Sequence, residues 1–264
     1  MKVGCDTPFF VWFTGRTGST LMCDLLDSHP DIHCRMEDFT EVAVPAEDAA
    51  DLETTTEFNR VQYARKICVP GSTIENPTRA QVIDYLEQIF SNQQTACGFK
   101  FRFPAQAAVF PEVNTQLQMV SGIKVIELIR ENVLKQAISL QNVQRIRQQE
   151  KQMSCNLTAK VDLEPLPADI RTVVQHAKYF LRTREEFQNV TRKFQHVLPV
   201  SYEHLNRDSV GTTNQILEFL GVDTDLELAT QFVKTTPDRI ADAIINYEAL
   251  VDAVAGTKLE AFLD

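Results

Sequence analysis

The chain lacks any apolar run long enough to cross a bilayer or to form the core of a secretory signal. Its densest one near the start, Phe9 to Phe13, is five residues long, whereas a span needs about 20 and a signal core about 7–15. With no cleavable leader legible, the sequence predicts a cytoplasmic protein without membrane insertion. Also missing is any excess of positive charge. Lys and Arg number 26 against 36 Asp and Glu, a net charge of −10, which argues against nucleic acid and anionic membrane surfaces as partners. A small anionic ligand stays admissible, because a few focused donors can hold one inside an acidic protein. The six cysteines (Cys5, Cys23, Cys34, Cys68, Cys97 and Cys155) form no C-x-x-C pair, and the five histidines are scattered. Neither pattern has the rhythm of a metal site, so we expect reduced thiols, several of them buried, and no metal. No repeat or low-complexity stretch is present.

What is there reads as a globular α/β chain. Hydrophobic residues make up 44% of the 264, enough for a real core. Phe9 to Thr14 is a β-rich apolar run. After Gly15-Arg16-Thr17-Gly18-Ser19-Thr20, the apolar residues Leu21, Met22, Leu25 and Leu26 mark one helix face that should stop near His29-Pro30. The acidic segment from Asp38 to Ser72 predicts short helices and loops, and Val82 to Phe90 a helix. Cys97 to Pro104 alternates aromatic and basic residues, a short strand with Lys100 and Arg102 on one face. Lys124 to Ile129 is a buried strand ending at Arg130, with a helix from Val133 toward Gln149. A long amphipathic helix over Ala168 to Lys193, a strand at His196 to Ser201, a helix over Ser209 to Leu220 closed by Gly221, and a helical tail complete the reading. Strands alternating with helices predict a central, mostly parallel sheet flanked by helices, with ligands beyond the carboxyl ends of the strands. We expect one domain over 1–264, with helical insertions at about 38–95 and 145–195.

Between the first strand and first helix, the loop Gly15 to Thr20 combines glycines that let the backbone curl with Arg, Thr and Ser donors at a helix N-terminus, a setting that favours an anion. The nucleotide-triphosphatase loop G-x-x-x-x-G-K-[ST] does not fit. Phe13 stands where its first glycine would be, and Ser19 where its lysine would be. With the helix that follows, through Leu25-Leu26-Asp27-Ser28-His29-Pro30-Asp31-Ile32, this loop resembles the 5′-phosphosulfate loop of sulfotransferases that use 3′-phosphoadenosine-5′-phosphosulfate (PAPS). Tyrosylprotein sulfotransferases and bacterial Nod-factor-type sulfotransferases are especially similar. The resemblance implies a P-loop-like fold, PAPS as co-substrate, no metal, and phosphosulfate contacts from Arg16, Thr17, Gly18, Ser19 and Thr20.

Later motifs follow in the same order. Ile126 to Asn132 and Gln136-Ala137-Ile138-Ser139 look like the family's 3′-phosphate motif, which assigns Arg130 and Ser139 to that phosphate. Their separation is nine residues where the common animal pattern has eight, so the register of the pair stays open. Val200 to Leu205 resembles a late strand-and-helix signature that brings Tyr202 near the nucleotide, and Lys234 is a candidate lid residue or an exposed helix-end lysine. The base is Glu37 by its similarity in offset to the glutamate of tyrosylprotein sulfotransferases. The strand histidine of cytosolic relatives is absent from Lys100-Phe101-Arg102, and arginine cannot take a proton at neutral pH. The implied chemistry is in-line transfer to a hydroxyl or amine, with Arg16 and Lys100 neutralising the leaving phosphate. Small-molecule, carbohydrate and peptide acceptors all fit. Two other classes stay open: a phosphate-loop kinase or nucleotidase, and a catalytically idle nucleotide-binding protein of the same fold. The resemblance to tyrosylprotein sulfotransferases further implies that Cys34 and Cys97 lie close in space.

Overall fold

A computed structural model describes residues 1–36, 38–43, 63–69, 71–150, 165, 167–232 and 237–263. Its centre is a five-stranded sheet of β1 (Thr7–Phe13), β2 (Ile32–Arg35), β6 (Ala96–Arg102), β7 (Lys124–Ile129) and β8 (His196–Ser201), in the order β2-β6-β1-β7-β8. Every pairing in it is parallel. After β1 the chain leaves to the edge strand β2, and later strands build on both sides of β1. The crevice at the carboxyl end of β1 is therefore the topological switch point where such sheets hold ligands.

Burial on both faces explains why β1 reads Thr-Pro-Phe-Phe-Val-Trp-Phe rather than alternating apolar with polar. Phe10 and Trp12 join Phe99, Phe101 and Val125 on one face, beneath α2 (Arg79–Ile89), α4 (Pro111–Met119) and the carboxyl half of α6 (Ile170–Thr191). Phe9, Val11 and Phe13 join Ile126 and Leu128 on the other, beneath α1 (Ser19–Asp27) and α8 (Ser209–Leu220). A third apolar cluster knits α5 (Val133–Glu150) and the start of α6 to α9 (Ile240–Ala243) and α10 (Tyr247–Val254). Between β6 and α4 runs the short α3 (Ala105–Val109), and α7 (Tyr202–Arg207) follows β8 directly.

Helix boundaries follow local chemistry. A Thr78–Gln81 capping box starts α2, Asp169 caps α6, and Gly221, at φ 81°, closes α8 as its sequence predicts. One expectation is corrected. The 38–72 stretch, read as short helices and loops, contains β3 (Phe39–Ala43) and β4 (Tyr63–Val69), which pair antiparallel and continue into β5 (Ser72–Glu75). This second sheet is anchored by the cross-strand row Phe39, Ile67 and Ile74, which packs into the first apolar layer, and by polar contacts to its neighbours. Arg65 pairs with Glu112 of α4 and lies 4.8 Å over the Phe110 ring, and Gln106 of α3 donates to the Phe39 carbonyl. Such anchoring leaves little periodic signal in the strands themselves.

The five described cysteines are free thiols. Cys34 and Cys97 lie on the adjacent strands β2 and β6, but one register position apart, with Cys34 opposite Gly98 and His33 opposite Cys97. Their side chains enter opposite apolar layers, Cys34 with Cys23 and Cys97 with Cys5. Burial and the Cys23 thiol push Cys34 well up, and the Cys5 thiol and burial do the same to Cys97. The expected closeness therefore holds for the strands and fails for the sulfurs, because one residue of register reverses a side chain's face.

Candidate functional site

At the carboxyl end of β1 the loop turns sharply. Arg16 takes a φ of 66° and Gly18 one of 81°, two left-handed residues flanking Thr17. At Gly18 the absence of a side chain is doubly required. A Cβ there would also stand 2.5 Å from Cδ2 of Tyr202, the first residue of α7, so that ring packs directly on the loop. Thr17 is fully buried and its hydroxyl donates to the Thr14 carbonyl at 2.9 Å. That hydroxyl shapes the loop, leaving the backbone of Thr17 as its contribution to an anion.

Three elements from distant parts of the sequence meet this loop. From β6, Lys100 is only 2% exposed, yet its Nζ donates to Thr20 Oγ1 at 3.0 Å and lies 5.8 Å from the Phe13 ring centroid. Its alternation with Phe99 and Phe101 puts it on the α1 face of the sheet. From α5, Ser139 accepts from Arg16 Nε at 3.2 Å, whereas Ile138 packs into the third apolar cluster. Ser139 is thus the residue of that pair that faces the loop, despite the longer spacing from Arg130. From the end of β7, Arg130 reaches the Arg16 carbonyl through Nη1 at 3.4 Å and stacks over the Tyr202 ring at 4.8 Å.

Electrostatics at Arg130 are unusual. It is 6% exposed, and its Nε is buried without a hydrogen-bond partner among the described residues. Burial pulls its pKa down, with Tyr202, Glu203 and Asp238 opposing, and burial pushes the Tyr202 phenol up. A guanidinium with buried, unmet N–H capacity fits an incoming anion, since a desolvated donor gains most from a charged acceptor. The donor set suits a phosphorylated nucleotide.

Three supporting residues carried no assignment from sequence. Gln136, 2% exposed on α5, donates through Nε2 to Gly15 O at 2.6 Å and to Thr14 Oγ1 at 3.1 Å. Its place three residues before Ser139, hence on the same helix face, was the available signal. Arg184 of α6 donates to the carbonyls of Arg130 and Glu131. Glu203 accepts from the amides of Glu131 and Asn132 at 2.8 and 3.1 Å. No local pattern announces these last two, since their partners are backbone atoms about 53 and 72 positions away in the chain.

Glu37 and Lys234 lie outside the described residues. Next to Glu37, Asp38 is committed to Arg35, which grips both its oxygens at 2.7 and 3.1 Å and also donates to Tyr85 Oη. Among the described residues no group of three or more His, Cys, Asp or Glu side chains converges, and no helix is long and apolar enough to cross a membrane.

Residues 8–226 match the model of the sulfotransferase family. No curated protein sequence matches the chain. Among solved structures, a sulfotransferase from Alicyclobacillus acidocaldarius is 17% identical, with 97% of this chain and 98% of that one covered and a TM-score of 0.45. A sulfotransferase from Mycobacterium avium is 14% identical, covering 98% and 79%, with a TM-score of 0.46. A mouse sulfotransferase complexed with PAP is 14% identical, covering 84% and 61%, with a TM-score of 0.42. With the family match running over most of its length, and a parallel sheet bearing the loop at its switch point, this chain belongs to the sulfotransferase family.

Proposed function

We propose that this protein moves the sulfuryl group of PAPS onto a hydroxyl or amine acceptor. One observation carries the reading: Arg16, Lys100, Arg130 and Ser139, four polar groups from four segments, are joined around one loop by Lys100–Thr20, Arg16–Ser139 and Arg130–Arg16 contacts. Such a cluster of cationic and hydroxyl donors supports a ligand that carries more than one phosphate-type group. A mouse sulfotransferase complexed with PAP is consistent with the same nucleotide class here.

In this reading PAPS supplies an activated sulfuryl group on its 5′-phosphate. The backbone of Arg16 through Thr20 and the start of α1 receive the 5′ end, where N–H groups and the helix dipole favour negative charge. Lys100 and Arg16 balance the charge that grows on the departing phosphate, and Lys100, being buried, does so at low local dielectric. Arg130 and Ser139 receive the 3′-phosphate, with Tyr202 beside them and Lys234 closing over the nucleotide. Glu37 takes the acceptor's proton as its oxygen or nitrogen attacks sulfur. No metal enters this scheme. Small-molecule, carbohydrate and peptide acceptors are all compatible with it. The chain acts as one domain over 1–264, with insertions at about 38–95 and 145–195, in the cytoplasm.

Incubation with radiolabelled PAPS and an extract of the native cell, followed by isolation of the labelled product, tests the reading. A labelled acceptor is the expected outcome. Calorimetric titration with adenosine 3′,5′-bisphosphate (PAP) separates binding from turnover. Binding of PAP without transfer to any acceptor would sink the enzymatic reading, and a preference for ATP–magnesium would sink the nucleotide.

A further inference from the structure

Two consecutive carbonyls of the phosphate loop are captured by side chains. Gln136 Nε2 holds Gly15 O at 2.6 Å, and Arg130 Nη1 holds Arg16 O at 3.4 Å. Across a trans peptide the C=O and the following N–H point in opposite directions. Holding Gly15 O toward α5 therefore turns the amide of Arg16 away from α5, and holding Arg16 O turns the amide of Thr17 away from Arg130. Left-handed residues at Arg16 and Gly18, with φ of 66° and 81°, are the backbone alternation that gathers successive N–H groups around an anion. For arginine that conformation is unfavourable, so it persists only where surrounding contacts impose it. Gln136 is placed to impose it: 2% exposed, one helical turn from Ser139, with Nε2 also fixed by Thr14 Oγ1 at 3.1 Å.

From this geometry we infer that Gln136 is a positioning residue for sulfuryl transfer. It acts through the Gly15–Arg16 peptide, setting the amide of Arg16 on the 5′-phosphosulfate. A neutral carboxamide suits the task. It supplies N–H donors to a carbonyl without adding a cation that would draw the phosphate toward α5. The inference rests on the PAPS reading and goes beyond it in naming a residue that touches neither substrate.

The test compares two ligands that differ only in the 5′-phosphate: PAP and adenosine 3′-phosphate, titrated by calorimetry into wild type, Gln136→Ala and Gln136→Glu. Wild type binds PAP more tightly. In Gln136→Ala that preference should shrink about tenfold, as for loss of one well-made hydrogen bond, with adenosine 3′-phosphate affinity changed less than about twofold. Gln136→Glu keeps the shape, so it guards against a cavity effect in the alanine variant. Its ionised carboxylate cannot donate to Gly15 O, and the preference should fall at least as far near pH 8. As pH drops and the carboxyl takes a proton it regains one O–H donor, so the preference should recover, measured against wild type at each pH. A helix-packing role alone would weaken both nucleotides alike and show no recovery in acid. If wild type prefers PAP and both variants keep that preference, the positioning role is overturned while the PAPS reading stands. If wild type shows no preference, the PAPS reading falls and this inference falls with it.

Discussion

Replacing Gly18 by alanine should damage the site by two separable routes. The first is conformational: at a φ of 81° any L residue is left-handed, at a cost of about 1–2 kcal/mol. The second is steric. The added Cβ would stand 2.5 Å from Cδ2 and 2.9 Å from Cε2 of Tyr202, well inside van der Waals contact. The ring cannot simply retreat, because the Arg130 guanidinium stacks on it at 4.8 Å. Overpacking of this kind costs about 1–3 kcal/mol, so Gly18→Ala should lose about 2–5 kcal/mol in total. Urea denaturation of wild type, Gly18→Ala, Tyr202→Ala and the double variant forms a cycle in which the loss of the Arg130–Tyr202 stack cancels. The double variant should recover the steric part, a coupling of about 1–3 kcal/mol, and keep the conformational part. Parallel PAP titrations should show the same pattern in affinity. Additive losses with no coupling would refute the packing of Tyr202 on the loop, and with it the route by which α7 shapes the nucleotide site.

Other outcomes follow from the same structure and proposal. Glu37→Gln should lower turnover by about 10²–10⁴ at saturating PAPS while PAP affinity stays within about twofold; a near wild-type rate would place the base elsewhere. Arg130→Ala should weaken PAP at least about tenfold, as for loss of a charge-assisted contact, and weaken adenosine 5′-phosphate less, through the released Arg16 carbonyl; equal losses for both nucleotides would remove Arg130 from the 3′-phosphate. Glu127 offers a pH test. Burial raises its carboxyl above the ordinary range, against opposing contributions from Thr191 and Arg192, and its Oε1 is buried without a hydrogen-bond partner among the described residues. Between the unfolded and folded pKa values the native state holds the extra proton, so stability from this group falls as pH rises through that window. Melting curves from pH 4 to 8 should show Glu127→Gln lacking that decline and matching or exceeding wild type at neutral pH. A variant clearly less stable than wild type at pH 7 would mean that the ionised carboxylate is needed.

Some of this protein was legible in its sequence because the signal is local. A run that is apolar on both faces, such as Phe9 to Phe13, announces a buried parallel strand. The turn residues and caps at Gly18 and Gly221 mark where helices begin and end. The loop from Gly15 to Thr20 and the later Arg130 and Ser139 segments could be quoted as motifs, since each anion-binding device occupies a few consecutive residues. The 39–75 sheet was not legible, because a single row across its strands, Phe39, Ile67 and Ile74, enters the core and Arg65–Glu112 and Gln106–Phe39 contacts supply the rest, which leaves little alternation along each strand. Tertiary structure alone decided how the motifs join: that Lys100 ends on Thr20, that Ser139 rather than Ile138 faces Arg16, and that Cys34 and Cys97 point to opposite layers. It also recruited Gln136, Arg184 and Glu203, whose partners are largely main-chain atoms. A backbone carbonyl or amide is the same group at every residue. No sequence pattern can therefore say which one a distant side chain will hold until the packing of the layers has brought the two together.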